Sequence, residues 1–213
     1  MIITIDGPAG GGKSSVAKAL SKKLNLYYLN TGLLYRAIAY IFFNIVHEKD
    51  LDFVKDIEYT YEDEKPHIYF KGKNITSHLY DHTVGQQASH LSAKKEIRHS
   101  ILELQRSISK KYGLVADGRD CGSVVFPNAD YKFFLTASLE QRAKRIFADK
   151  SRGESGISME NVKVELEKRD ERDKTRDVAP LVVPDGAIVV DNSDLDLEQT
   201  IEEMLRHIKK PRR

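Results

Sequence analysis

Gly7-Pro8-Ala9-Gly10-Gly11-Gly12-Lys13-Ser14 fits the pattern G-x-x-x-x-G-K-[ST] at every fixed position, directly between a short apolar run and a helix-like segment. Few short stretches limit a fold so strongly. Glycines let the backbone turn back and aim successive N–H groups at one anion, while the following helix adds the positive end of its dipole. Lys13 supplies a full charge for outer phosphates, and the Ser14 hydroxyl suits a hard cation such as Mg²⁺. A glycine-rich turn could match by accident, and the context decides against it. Met1-Ile2-Ile3-Thr4-Ile5 reads as a buried strand, and Val16, Leu20 and Leu24 share one face of a helix that begins near Lys13. The segment therefore implies binding of nucleotide phosphates.

The rest of the chain alternates strand-like and helix-like segments, the pattern of a parallel sheet covered by helices on both faces. Strands are expected at Ile2–Ile5, Leu26–Leu29, Gly113–Ala116, Tyr131–Thr136 and Ala187–Val190. Helices are expected at Lys13–Leu24, Leu33–Val46, Lys94–Lys111, Leu139–Asp149, Met159–Thr175 and Leu197–Lys209. Two regions break the rhythm. Ile57–Thr76 alternates in the strand sense around turn-like residues, which predicts a small antiparallel insertion, and Lys150–Ser158 is polar with two glycines, which predicts a loop able to move. The basic tail Lys209–Arg213 is expected to fray.

Charged residues collect where strands end. Thr31-Gly32-Leu33-Leu34-Tyr35-Arg36 follows the second strand, at the edge where open α/β sheets bind ligands. Arg36 stands in a nearly all-apolar helix, so it must meet a carboxylate, as a structural ion pair, or a phosphate. Asp117-Gly118-Arg119-Asp120 closes the third strand. It reads either as a solvated turn or as a strand-terminal acid for Mg²⁺ followed by two cleft-facing charges. Twelve of the fifteen residues from Lys163 to Asp177 are charged, and the stripe of Val162 and Leu166 continues into Arg169, Asp173 and Arg176. A solvated helix explains Lys168, Asp170 and Glu171, whereas a ligand-facing role explains why charge takes over the buried stripe. Arg142, Arg145 and Arg152 approach or enter the glycine-bearing loop. Singly each reads as a surface residue; together they could neutralise a transferring phosphoryl group.

Composition removes several classes. The 34 basic and 32 acidic side chains nearly cancel, so no global nucleic-acid footprint is expected. The single cysteine, Cys121, rules out an internal disulfide framework and suits a reducing cytosol. No secretory signal and no membrane span is read from the sequence, and the seven histidines have no metal-ligand spacing. A regulatory GTPase would need an Asn-Lys-x-Asp segment, which the chain lacks. A different small-molecule kinase on the same core stays open as a rival.

Taken in order, Ile5-Asp6-Gly7-Pro8, Thr31-Gly32-Leu33-Leu34-Tyr35-Arg36, Asp117-Gly118-Arg119-Asp120, Val125-Phe126-Pro127, Arg169-Asp170-Glu171-Arg172-Asp173 and Val178-Ala179-Pro180-Leu181 make the chain resemble the bacterial cytidylate kinases over essentially its whole length. The resemblance implies a three-layer P-loop α/β fold with a five-stranded parallel sheet, a small β-rich monophosphate-binding insertion and a lid. It implies one kinase domain: a core of residues 1–50, 90–145 and 180–213, an insertion at about 51–89 and a lid at about 146–179. The implied reaction is phosphoryl transfer from ATP to CMP or dCMP with Mg²⁺, in a cytoplasmic monomer with small-molecule partners and neither nucleic acid nor membrane. Gly7, Pro8, Ala9, Gly10, Gly11, Gly12, Lys13, Ser14 and Ser15 would hold ATP, and Ser14 and Asp117 the metal. Arg36, Arg119 and Arg176 would meet the acceptor phosphate, Thr31, Arg169 and Asp173 the sugar side, and Ser89, Arg98 and Asp120 the cytosine. Arg145, Arg152 and Arg172 are the implied lid-side charges for the transition state, beside Lys13, Arg119 and Arg176. Two positions depart from the family pattern: Asn30 stands where an acid is expected, and Cys121 where a methionine is usual.

Overall fold

The computed structural model describes residues 1–46, 51–148 and 158–208. The chain opens with β1 (Ile2–Asp6), α1 (Lys13–Leu24), β2 (Tyr27–Asn30) and α2 (Thr31–Ile41). Three short strands follow, β3 (Ile57–Glu62), β4 (Lys65–Phe70) and β5 (Lys73–Asn74), and then α3 (His82–Leu91) and α4 (Lys95–Lys111). The second half runs β6 (Leu114–Gly118), β7 (Tyr131–Thr136), α5 (Leu139–Ala148), α6 (Met159–Thr175), β8 (Ile188–Asp191) and α7 (Leu197–His207).

Five strands form one parallel sheet in the order β2-β6-β1-β7-β8. Its central strands are apolar without alternation because both faces are covered. In β6, Val115 joins Ile3, Ile5, Phe133 and Leu135 under α1 and α7, while Leu114 and Ala116 join the cluster under α2 and α4. The three layers thus follow from one unbroken run, Leu114-Val115-Ala116. Strands β3, β4 and β5 make a separate antiparallel sheet over the interval expected for the insertion. Ile57, Ile68 and Phe70 bury its inner face in the same core cluster as the apolar face of α2, and Tyr59 ties it to the main sheet by donating to Tyr28 O at 2.8 Å and accepting from Asn30 N at 3.0 Å.

Boundaries moved where side chains make caps. Helix α2 begins at Thr31 instead of Leu33 because Asn30 accepts from Leu33 N at 2.9 Å; the residue that replaces the expected acid is the helix cap. Beyond Ile41 the helix continues as a π-helical turn, Phe42–Val46. Helix α3 was not expected, since only Val84, Ala88 and Leu91 of it are buried; the signal was Asp81, which accepts from Thr83 N and Val84 N. Most of the loop expected at 150–158, with Arg152, and the tail from 209 lie outside the described residues. Among the described residues no helix is long and apolar enough to cross a membrane.

Candidate active site

The carboxyl edge of the sheet opens into a cleft of about 840 Å³, bounded by the phosphate loop, the start of α2, helices α3 and α6, and the turn into α7. The loop has its shape because glycine is required at its first step. Gly7 has φ +147°, and a Cβ there would lie 2.0 Å from Leu135 O. Lys13 is buried and donates to Pro8 O at 2.6 Å, which curls the loop around its own ammonium. Burial first, and the charge of Arg119 second, hold Lys13 well below the ordinary lysine range. Asn192 braces the far wall: its amide donates to Gly11 O at 3.2 Å, and its side-chain oxygen accepts from Arg145 at 2.9 Å.

Ser14 Oγ donates to Asp117 Oδ2 at 2.8 Å, and Tyr28 donates to Asp117 Oδ1 at 2.9 Å. Burial raises the Asp117 pKa, with Lys13 as the chief opposing influence. No group of three or more His, Cys, Asp or Glu side chains with metal-site geometry occurs among the described residues. A hydroxyl and a carboxylate one hydrogen bond apart in a phosphate cleft nevertheless fit Mg²⁺, which keeps several waters and takes its other ligands from phosphate oxygens.

Across the cleft, carboxylates and guanidinium groups interleave. Arg119 Nε donates to Asp173 Oδ2 at 2.8 Å, and Arg98 Nη2 donates to Asp120 Oδ2. Arg176 lies 3.7 Å from Asp120 and 3.8 Å from Asp173, and its buried Nη2 has no hydrogen-bond partner among the described residues. A buried guanidinium nitrogen left unsatisfied in a cleft is an acceptor site for an anion oxygen. Burial pulls Asp173 up, but Arg119, Arg169 and Arg176 together hold its carboxyl below the usual range. Burial and then Arg98 lower Arg176. The cations Lys13, Arg36, Arg98, Arg119, Arg145, Arg169 and Arg176 line the cleft against Asp117, Asp120, Asp173 and Asp196. The excess is positive.

Most residues singled out in the sequence meet here. Seventeen of them, from Ala9 through Thr31, Ser89 and Asp120 to Arg176, line the one cleft. Gly7, Pro8 and Gly11 lie behind the surface as the frame of the loop. Two expectations, for Arg142 and Asp170, need correction. Arg36 lies half-buried in the cleft lining and donates to two main-chain carbonyls, Leu79 O at 2.7 Å and Asp81 O at 3.2 Å, acceptors that a sequence does not display. Arg142 is no surface residue: it is buried, pairs with Asp170 at 2.6 Å and donates to Ala9 O and Ala137 O. Asp170, expected to be solvated, is buried as its partner. Arg145 stands on α5 against the phosphate loop. Arg172 lies outside the cleft lining and donates to Ser89 Oγ at 2.8 Å, linking α6 to α3. Sequence reading also passed over Asn192 and Asp6. The first had no motif to mark it; the second was visible as a lone acid ending an apolar strand.

The sequence model of the family described as Cytidylate kinase matches residues 3–210. A cytidylate kinase of Chlamydia felis is 43% identical over 210 residues, covering 96% of this chain and 96% of that protein. One from Bdellovibrio bacteriovorus is 38% identical over 219 residues, covering 98% of each. Among solved structures, a shikimate kinase from Bacteroides thetaiotaomicron superposes with a TM-score of 0.54 at 12% identity, covering 97% of both chains, a likeness of fold alone.

Proposed function

The chain belongs to the cytidylate kinase family, and on that premise we propose that it transfers the γ-phosphoryl group of ATP to CMP or dCMP, yielding ADP and CDP or dCDP. The observation that carries this reading is the junction, in one cleft, of a complete phosphate loop with the Arg98, Asp120 and Arg176 cluster across from it. The loop from Gly7 to Ser15, through the N–H groups of its residues other than Pro8, and the Lys13 ammonium serve the donor phosphates. Arg36, Arg119 and Arg176 serve the acceptor phosphate, and the orphaned Nη2 of Arg176 supports that assignment. Thr31, Arg169 and Asp173 serve the sugar. Cytosine offers an N4 amine as donor, which suits the Asp120 carboxylate, with Arg98 and Ser89 beside it. Ser14 and Asp117 would hold Mg²⁺, which when bound neutralises charge on the outer phosphates.

Phosphoryl transfer asks a protein for position and charge more than for covalent chemistry. Lys13, Arg119 and Arg176 are fixed by buried partners, so they need little reorganisation when charge develops on the transferring group. Arg145 adds charge beside the phosphate loop, we propose Arg152 for the same set, and Arg172 would join it on leaving Ser89 Oγ. We further propose the division into core, monophosphate-binding insertion and lid stated above, a monomeric cytoplasmic enzyme, and no nucleic-acid or membrane partner. A coupled assay of ADP formation from ATP across CMP, dCMP, UMP, AMP and GMP tests the function. CMP and dCMP should lead; preference for a purine acceptor, or ADP formation that no acceptor stimulates, overturns it.

A further inference from the structure

We infer that Asp6 is a positioning residue for the acceptor side of the cleft, holding the segment that carries Arg119 and Asp120 in register with the phosphate loop. This role deepens the cytidylate kinase reading and rests on it. Asp6 is the last residue of β1, directly before Gly7, and is 0% exposed. It does not line the cleft. A carboxylate buried in a sheet is costly unless its oxygens are satisfied, and an apolar residue would fill the place more cheaply. Here both oxygens are taken by main-chain donors: Cys121 N at 2.8 Å on Oδ1 and Gly122 N at 2.7 Å on Oδ2.

Those two N–H groups are the first of the helical turn Cys121–Val125, which starts directly after Asp120. The backbone of residue 6 is also paired in the sheet with Gly118, the residue directly before Arg119. The two-residue span Arg119-Asp120 is therefore fastened at both ends to one residue, through the main chain on one side and the carboxylate on the other. What hangs from the span is the acceptor-side charge: Arg119 on Asp173, and Asp120 between Arg98 and Arg176. Residue 6 continues at once into the donor loop. The distance between donor phosphates and acceptor-side cations is thus set through Asp6.

The packing leaves no slack to replace that tie. A Cβ on Gly122 would lie 2.7 Å from Thr4 Oγ1 and 3.3 Å from Asp6 Oδ2, and one on Gly118 would lie 2.6 Å from both Cys121 Sγ and Thr31 Oγ1. The glycines admit the close approach that the two hydrogen bonds need. Misplacement of a reacting group by about 1 Å costs on the order of a hundredfold in rate, so loosening this span should appear in catalysis before it appears in folding.

Asp6→Asn keeps the size but turns an amide N–H toward one of the two donors. With the folded fraction matched by circular dichroism, kcat/KM for CMP should fall by on the order of a hundredfold, while ATP affinity from calorimetry without CMP changes by less than about threefold. A purely structural Asp6 would lower active fraction alone and leave both constants per folded molecule unchanged; that result, or equal losses for ATP and CMP, overturns the assignment. If Asp6→Asn does not fold, Gly122→Ala, which pushes the same span off Asp6 without removing its charge, carries the test under the same criteria. A wild-type protein that fails to phosphorylate CMP refutes the functional reading before any variant is made, so the two failures are separable.

Discussion

Replacing Arg142 by Met should cost about 3–5 kcal/mol of stability, because it strands a buried carboxylate and two buried carbonyls. The guanidinium reaches Asp170 at 2.6 Å, Ala9 O at 3.0 Å and Ala137 O at 3.1 Å, with side-chain exposures of 8% and 10% for the ionic partners. In a chain of this size that cost corresponds to a fall in Tm of roughly 6–20 °C. Asp170→Asn should cost less, about 1.5–3 kcal/mol, since Arg142 keeps both carbonyls and an amide oxygen. The double variant buries no charge at this point and should sit no lower than Arg142→Met alone, giving a coupling energy of about 2 kcal/mol. Urea unfolding followed by circular dichroism measures all four corners of the cycle. Because Ala9 belongs to the phosphate loop, the KM for ATP should rise in Arg142→Met. An Arg142→Met protein within about 1 kcal/mol of wild type, or a coupling energy below about 0.5 kcal/mol, would refute the buried link between α6 and the loop.

Lys13→Met should lower turnover by at least about a hundredfold while CMP binding and the fold persist, since the ammonium serves the donor side; turnover within about tenfold of wild type sinks that role. Asp120→Asn should shrink the CMP-over-UMP ratio of kcat/KM by roughly ten- to a hundredfold, because an amide can turn either atom toward the base; an unchanged ratio returns base selection to Ser89 or Arg98. Asp6 makes stability depend on pH. Burial raises its pKa from 3.8 to about 6, so between those values the native state holds a proton the unfolded chain has lost. The stability this contributes is present below about pH 4 and is lost as pH rises through 6, so wild type should lose about 3 kcal/mol relative to Asp6→Asn between pH 4 and 7. Parallel stability profiles for the two proteins would contradict the shift.

What the sequence disclosed and what it hid divide along one physical line. Periodicity and glycine spacing are local, so β1, the phosphate loop, α1 and the antiparallel insertion were legible, as was the ionic stripe of α6. What a charge pairs with is a statement about distant parts of the chain, and Arg36 donates to backbone carbonyls forty-odd residues away. The same limit applies to Arg142. Its sequence surroundings are those of an exposed amphipathic helix, yet α5 lays it between Ala9 and Asp170. Asn30 shows the converse: a departure from the family pattern that sequence alone does not explain is a helix cap. Helix α3, with few buried residues, had little pattern to reveal beyond Asp81.

The charge arrangement of the cleft leads to one more expectation. Burial and then Arg119 depress Lys13, and burial and then Arg98 depress Arg176, so these groups stand in a field that disfavours their own charge. Asp120 and Asp173 offset part of that repulsion, and each already shares itself between two arginines. A phosphate dianion entering the cleft would offset the rest, whereas a neutral nucleoside would not. CMP at about a hundred times its Kd should therefore raise stability by about 2.7 kcal/mol, which mass action fixes for any ligand specific to the folded state. Cytidine at the same concentration has the base and sugar but no phosphate, and should move Tm by less than about 2 °C against roughly 5–11 °C for CMP. In Arg176→Met the CMP shift should shrink toward the cytidine value, because the buried Nη2 that lacks an acceptor is gone. Equal shifts for CMP and cytidine in wild type would mean that base and sugar contacts hold the acceptor, and that the cations are balanced by their own carboxylates.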